Sequence, residues 1–257
     1  MVNIKAGEHT IEDIGVAIFD KDGTIIELHH YWLKMVYFRS LFLCERLRID
    51  KSHITGLSYA MGADIDKGRL RPEGPVGLKK REIVMGEAIK YLKEIGFNNV
   101  ENICIDVFKD VDLFSQKNLQ EFIKPIKGAI ELIKDLFSNG CKVAIATTDI
   151  SERAMLAMRH LGIEKYIHFF AGAEMVERQK PFPDQVELIL KVLNSKKENA
   201  IMVGDALTDV EMGVNAGLKG TIGLLTGFGT YEDLIKITPY VVPDISWIKV
   251  IKDNHDE

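Results

Sequence analysis

Ile14-Gly15-Val16-Ala17-Ile18-Phe19 is a short apolar run that stops abruptly at Asp20, and the chain continues Lys21-Asp22-Gly23-Thr24. An unbroken apolar run of this length, rather than an alternating one, suits a strand buried on both faces in a parallel sheet. The charged motif then lies at that strand's C-terminal end. Two similar runs come much later: Cys141-Lys142-Val143-Ala144-Ile145-Ala146 ends in Thr147, and Ala200-Ile201-Met202-Val203 ends in Gly204-Asp205. Helical patterns at 129–137, 154–161 and 186–193 lie between and around them, which predicts the β-α-β alternation of a doubly wound α/β sheet. Weaker strand candidates occupy 168–171, 220–225 and 240–242.

From 28 to 120 the pattern changes. Apolar residues recur at helical spacing and no buried strand stands out, so this stretch reads as a helical insert. Its first helix, 30–47, carries Leu33, Val36, Tyr37, Leu41, Cys44 and Leu47 along one predicted face, with further helices at 82–95 and 102–108. The insert holds 15 Lys plus Arg against 12 Asp plus Glu, a balance of +3 in a chain whose total is −5. The tail, 252–257, is too polar to be held in place and is set aside for function.

The 257 residues suffice for one large α/β domain or two smaller ones, and 46% hydrophobic with 28% charged residues is an ordinary globular composition. A net charge of −5 lacks the basic excess with which nucleic-acid binders neutralise phosphates, so nucleic acid is not the expected partner. Nowhere do about 18 apolar residues run together, and residues 1–10 contain no apolar stretch of signal-peptide length. The expectation is a cytoplasmic protein with no membrane partner. Cys44, Cys104 and Cys141 are odd in number, widely spaced and set among apolar neighbours, which reads as buried free thiols in a reducing compartment.

Four polar elements carry the chemistry. Asp20 and Asp22, two carboxylates at i and i+2, suit a task that needs two acids with different roles. Beside a divalent cation one is kept ionised and attacks, while the other, off the metal, handles protons. Gly23 lets the chain turn sharply there. A calcium loop of the EF-hand type is a worse rival, because its pattern needs an oxygen ligand at the fifth position and Gly at the sixth, which are here Thr24 and Ile25. Asp205 and Asp209 form a second acidic pair at i and i+4. Thr208 with Glu211 makes a capping box that starts a helix near Asp209 and lets it run to just before Gly217. Two acidic clusters at one sheet edge repel each other unless a cation lies between them, and oxygen-only ligands favour magnesium over zinc. Thr147 and Thr148 can hold a phosphoryl oxygen through hydroxyl and backbone amides. Lys180, set in an extended segment by Pro181, can offset the charge of both phosphate and nucleophile.

In this order the four elements resemble the signature of the haloacid dehalogenase superfamily of phosphotransferases. That signature is Asp-x-Asp-Gly-Thr, a strand ending in Thr or Ser, a Lys, and Gly-Asp-x-x-x-Asp. Pro125-Ile126-Lys127-Gly128, Lys180-Pro181-x-Pro183-Asp184 and Val210-Glu211-Met212-Gly213-Val214-Asn215-Ala216-Gly217 look similar too. The resemblance implies a Rossmann-like core, 1–27 and 121–257, interrupted by an α-helical cap, 28–120. It implies that Asp20 attacks phosphorus, that Asp22 protonates the leaving oxygen and then activates water, and that Thr147, Thr148 and Lys180 bind the phosphoryl group. Asp20, the main-chain carbonyl of Asp22, and Asp205 would hold Mg2+, with Asp209 in support through Lys180 or a metal-bound water.

Within the superfamily Asp22 favours a phosphatase or a phosphomutase, because dehalogenases do without that acid and ion-pumping ATPases carry Thr there. Glu27 stands where many relatives have Asp, and His29-His30-Tyr31-Trp32 is outside the general pattern. The implied partner is a small phosphorylated metabolite of the sugar phosphate or phosphoglycolate type. A sugar phosphomutase and a non-catalytic phosphoacceptor module are the alternatives. Lys67, Arg69, Arg71, Lys79, Lys80 and Arg81, around Pro72-Glu73-Gly74-Pro75, are either a loop that closes over an anionic substrate or a solvated basic surface.

Overall fold

A computed structural model describes residues 1–77 and 79–251, so the tail 252–257 lies outside the described residues. The chain divides into two compact units, Met1–Glu27 with Pro125–Glu257, and Leu28–Lys124.

The first unit opens with β1 (Val2–Ala6), β2 (His9–Ile14) and β3 (Val16–Phe19). The apolar run read above as one strand is divided between two sheets. Ile14 closes β2, and β3 starts only after Gly15, whose amide donates to the carbonyl of Asn199 at 2.8 Å. All four residues of β3 are buried, as a central parallel strand requires. The β1–β2 hairpin was not foreseen, although Val2, Ile4 and Ala6 alternate inward with Asn3 and Lys5 between them.

The second unit contains α1 (Leu28–Leu47), α2 (His53–Ala60), the short strands β4 (Ala63–Asp64) and β5 (Arg69–Leu70), then α3 (Arg81–Glu94), α4 (Glu101–Lys117) and α5 (Leu119–Phe122). β4 and β5 pair antiparallel, a hairpin the helical reading did not contain. The buried side of α1 shares only Val36 and Cys44 with the expected face. Met35, Val36, Arg39, Ser40, Leu43 and Cys44 face inward while Tyr37 is exposed. A charged residue disguised that stripe: Arg39 is buried over the Phe108 ring, 4.3 Å from its centroid, and meets Asp112 of α4 at 3.4 Å. The second crossing between units falls between Lys124 and Pro125 rather than at 120/121, because Phe122 is fully buried against Phe38 and Phe114, with ring centroids 5.3 and 6.0 Å away.

After the insert come α6 (Ala129–Ser138), β6 (Lys142–Ala146), α7 (Ser151–His160), β7 (Phe169–Ala171), α8 (Asp184–Val192), β8 (Ala200–Gly204), α9 (Leu207–Asn215), β9 (Gly220–Leu224), α10 (Tyr231–Leu234), β10 (Tyr240–Val242) and β11 (Ile248–Ile251). Six strands form a parallel sheet in the order β10-β9-β8-β3-β6-β7. β3 lies between β6 and β8, with Phe19 paired to Ile145 on one side and Val203 on the other. The loops after these three strands therefore leave one edge side by side, at the switch point where open α/β sheets place their ligands. β11 returns to pair antiparallel with β1, giving a separate three-stranded sheet, β11-β1-β2. Cys44, Cys104 and Cys141 are buried free thiols, and burial pushes Cys104 up to about 11 and Cys141 up to about 12. Among the described residues no helix is long and apolar enough to cross a membrane.

Candidate active site

Asp20 follows the last residue of β3, and its amide donates to Val203 O of β8 at 2.9 Å, which fixes its direction from the strand end. The chain then folds back: the amides of Ile25 and Ile26 both donate to Lys21 O, at 2.9 and 3.0 Å, and Gly23 N donates to Ile26 O at 2.7 Å. Gly23 adopts φ +92°, which an L side chain rarely adopts. A side chain there would also collide with the Asp205 carboxylate. This tight turn sets Asp20 and Asp22 beside the loop after β8.

Lys180 joins the two acidic clusters. Its Nζ lies 2.6 Å from Asp20 Oδ1 and 2.7 Å from Asp209 Oδ1, and its side chain is 1% exposed. It sits in a turn closed by Phe182 N donating to Gln179 O at 3.0 Å, with a cis Lys180–Pro181 bond, rather than in the extended segment expected. Asn215 at the end of α9 donates to Pro181 O at 2.9 Å and holds this turn from below. Asp209 also differs from expectation. α9 starts at Leu207, and Asp209, not Glu211, supplies the cap by accepting from Ala206 N at 3.0 Å. Both oxygens of Asp209 are thereby engaged.

Asp205 lies just beyond β8. Its Oδ1 accepts from Thr24 Oγ1 at 3.1 Å and its carbonyl accepts from Gly229 N at 3.2 Å. Thr147 is buried at the end of β6, its carbonyl held by Gln185 Nε2 at 2.8 Å, whereas Thr148 is exposed. The structure thus gathers Asp20, Asp22, Lys180, Asp205 and Asp209 in one unit, with Thr147 at the neighbouring strand end, and leaves the Thr148 side chain outside the buried group.

The electrostatics of this group are those of an incompletely neutralised acidic cluster. Burial pushes the Asp20 carboxyl above its ordinary value against the pull of Lys180, and burial with nearby Asp209 and Asp20 raises Asp205 well above its own. Burial also raises Asp22, with Lys21 opposing it. For Lys180 burial acts to lower the value, but Asp20 and Asp209 outweigh it and hold the ammonium above its ordinary range. Asp20, Asp205 and Asp209 each offer an oxygen within 4.8 Å of the others. Because Asp209 is occupied by Lys180 and Ala206, the donors left for a cation are Asp20 and Asp205. Gly23 and Gly227 let the backbone approach the Asp205 carboxylate so closely that a side chain at either position would collide with it. Hard oxygen donors and surplus negative charge fit a small divalent cation.

A family model described as haloacid dehalogenase-like hydrolase matches residues 14–217. The chain belongs to the haloacid dehalogenase-like hydrolases. A pyrophosphatase PpaX of Halalkalibacterium halodurans is 36% identical over 102 residues, 40% of this chain and 47% of that protein. The chain thus spans about half the length of that curated relative. Two solved structures share the hydrolase fold: a predicted phosphoglycolate phosphatase from Haemophilus somnus, at TM-score 0.68 and 14% identity over 92% of this chain and 96% of the other, and a beta-phosphoglucomutase from Clostridium difficile, at TM-score 0.57 and 22% identity over 91% and 92%.

Sequence reasoning missed several residues that shape this hydrolase site. Thr226 Oγ1 donates to Gly23 O, and with Gly227 and Gly229 it makes the loop after β9 a third wall around Asp205. Thr226-Gly227-Phe228-Gly229 was a readable signal, since closely spaced glycines after a strand mark a close backbone approach. Gln185 and Asn215 gave no such signal. His29 and His30 support the helical unit itself: His29 Nδ1 accepts from Leu70 N at 3.3 Å, and His30 Nε2 lies 3.1 Å from Glu121 O. Burial lowers His29 below its ordinary value. In the basic loop Arg71 is engaged by Glu73 at 2.8 Å and stacked 4.0 Å over Tyr59, Arg81 by Asp112, and Lys67 by Asp64 at 3.3 Å.

Proposed function

We propose that this chain is a magnesium-dependent phosphatase that hydrolyses a small phosphomonoester, of the sugar phosphate or phosphoglycolate type, through an aspartyl-phosphate on Asp20. The observation that carries the reading is the buried contact of Lys180 with Asp20 beside Asp205. A carboxylate aimed from a strand end, an ammonium beside it and clustered oxygen donors that suit a cation together fit a transferring phosphoryl group.

Asp20 attacks phosphorus as the bond to the leaving oxygen breaks, and Asp22 gives that oxygen its proton. Asp22 then takes a proton from water, whose oxygen attacks phosphorus as the bond to Asp20 breaks and inorganic phosphate leaves. The raised value of Asp22 suits it to carry a proton in both directions. Lys180 and Thr147 hold the phosphoryl oxygens. Held by Asp20, Asp205 and the main-chain carbonyl of Asp22, magnesium would supply the positive charge that neutralises the phosphoryl oxygens. The helical unit Leu28–Lys124 acts as the cap that selects the substrate. The enzyme works in the cytoplasm, in keeping with its three buried free thiols, and its net charge of −5 favours a small metabolite over nucleic acid.

The test is phosphate release, with and without magnesium, from a panel of sugar phosphates, phosphoglycolate and p-nitrophenyl phosphate. Pyrophosphate joins the panel because of the PpaX relative. Wild type should exceed Asp20→Asn by on the order of 10⁴-fold or more on its best substrate. Equal rates across the whole panel would end this reading.

A further inference from the structure

Lys21, between the two aspartates of the motif, is 3% exposed. A buried ammonium requires anionic partners, and Lys21 meets carboxylates from two different strand ends. Its Nζ lies 2.6 Å from Asp22 Oδ2 and 3.5 Å from Asp149 Oδ2. Asp149 is itself held from several sides: its amide donates to Thr147 Oγ1 at 3.1 Å, its Oδ1 accepts from Ile150 N at 2.8 Å, and its carbonyl accepts from Ala173 N at 2.9 Å. Arg153 Nη1 stands 3.6 Å from the same Oδ1. Lys21 therefore ties the loop after β3 to the loop after β6, which carries Thr147. The remaining oxygen of Asp22, Oδ1, is buried and has no hydrogen-bond partner among the described residues.

We propose that Lys21 is a positioning residue for the proton transfer: it fastens Oδ2 of Asp22, so that Oδ1 is the oxygen that gives the proton to the leaving group and takes one from water. Asp149 is the fixed post that holds Lys21 in line. This rests on the phosphatase reading above. Buried polar atoms without a partner are costly and few, and Oδ1, when protonated, gains one by donating to the ester oxygen as substrate arrives. Without Lys21 the carboxylate turns freely, and a misplacement of about 1 Å in a reacting group costs about 10²-fold in rate.

The experiment compares wild type, Lys21→Met, Asp22→Asn, the double variant and Asp20→Asn on p-nitrophenyl phosphate and on glycerol 1-phosphate. The nitrophenolate leaves without a proton, whereas the alkoxide needs one. Lys21→Met should lower turnover of glycerol 1-phosphate about 10²-fold. With p-nitrophenyl phosphate it should give a rapid burst of one nitrophenolate per site followed by slow turnover, because the first step is spared and activation of water is not. In the Asp22→Asn background the lysine change should add less than about twofold, the non-additivity of residues acting as a unit. Loss of equal size on both esters without a burst, or effects that multiply in the double variant, would overturn the proposal. If Lys21→Met does not fold, Asp149→Asn carries the comparison: selective loss on the alkyl ester supports the proposal and uniform loss overturns it. Wild type no faster than Asp20→Asn would remove the phosphatase reading and this inference together; an active wild type matched by Lys21→Met would remove the inference alone.

Discussion

Asp209 Oδ1 stands 2.7 Å from Lys180 Nζ, and the other oxygen of that carboxylate accepts the Ala206 amide at 3.0 Å, so Asp209 is a strut for the lysine. Asp209→Ala removes both contacts at once. The loss of the helix cap alone costs about 1 kcal/mol, and Lys180 is left to Asp20. The expected result is a lower melting temperature together with a fall in kcat/KM of about 10- to 100-fold, with magnesium affinity affected far less than by a change at Asp205.

Asp205 predicts an unusual pH response. A carboxyl raised in the folded state holds its proton longer there than in the unfolded chain, so stability falls as pH climbs from the ordinary carboxylate range through the raised value. Asp205→Asn keeps an oxygen for Thr24 and removes the buried charge. Thermal melts in chelator at pH 8 should show the variant a few degrees more stable, at about 2–4 °C per kcal/mol. The stabilisation of wild type by added magnesium should largely vanish. A magnesium shift as large as in wild type would rule Asp205 out as a ligand.

Gly227 offers a test of the metal space that touches no carboxylate. A Cβ at this position meets the Asp205 side chain directly. Gly227→Ala should retain folded secondary structure by circular dichroism while weakening magnesium binding at least about tenfold by calorimetry, since ligand placement within about 0.5 Å is what a built site requires.

In the helical unit, Asp112 is shared by two arginines, Arg39 and Arg81. Asp112→Asn leaves Arg39 buried with no anion to meet it, and a loss of about 3–5 kcal/mol in urea unfolding is expected. Replacing the pair together, Arg39→Met with Asp112→Leu, should recover much of that loss. Equal destabilisation by both would show that packing on Phe108, not charge, sets the cost.

The sheet was legible where strands are buried on both faces, because β3, β6 and β8 write their burial as unbroken apolar runs that end in polar residues. The same rule misread Ile14, since a run of apolar letters does not reveal a change of sheet at Gly15. β1 and β11 escaped because they are short, alternating and paired with each other across almost the whole chain. On α1 the buried Arg39 broke the stripe, and only its partners on α4 explain why it is inside. In the site, Asp20, Lys180 and Asp205 stood out as polar residues at strand ends or before a proline. Gln185 and Asn215 act by holding backbone carbonyls, a task any amide can perform, and so left no mark in the sequence.

Ile26 and Pro125 form a bridge, and Ile126 N donates to Ile25 O at 2.8 Å, so the two strands of chain that leave and rejoin the sheet unit are zipped to each other within it. The 97 residues between Glu27 and Pro125 therefore hang from a closed doorway, and the doorway's own bonds are made by residues outside the insert. In engineering terms the helical unit is a cassette. A short linker from 27 to 125, or a different insert of any length, leaves the same bonds in place, because the cost of lengthening a closed loop grows only with the logarithm of its length. Exchanging the cassette leaves Asp20, Lys180 and Asp205 where the sheet puts them.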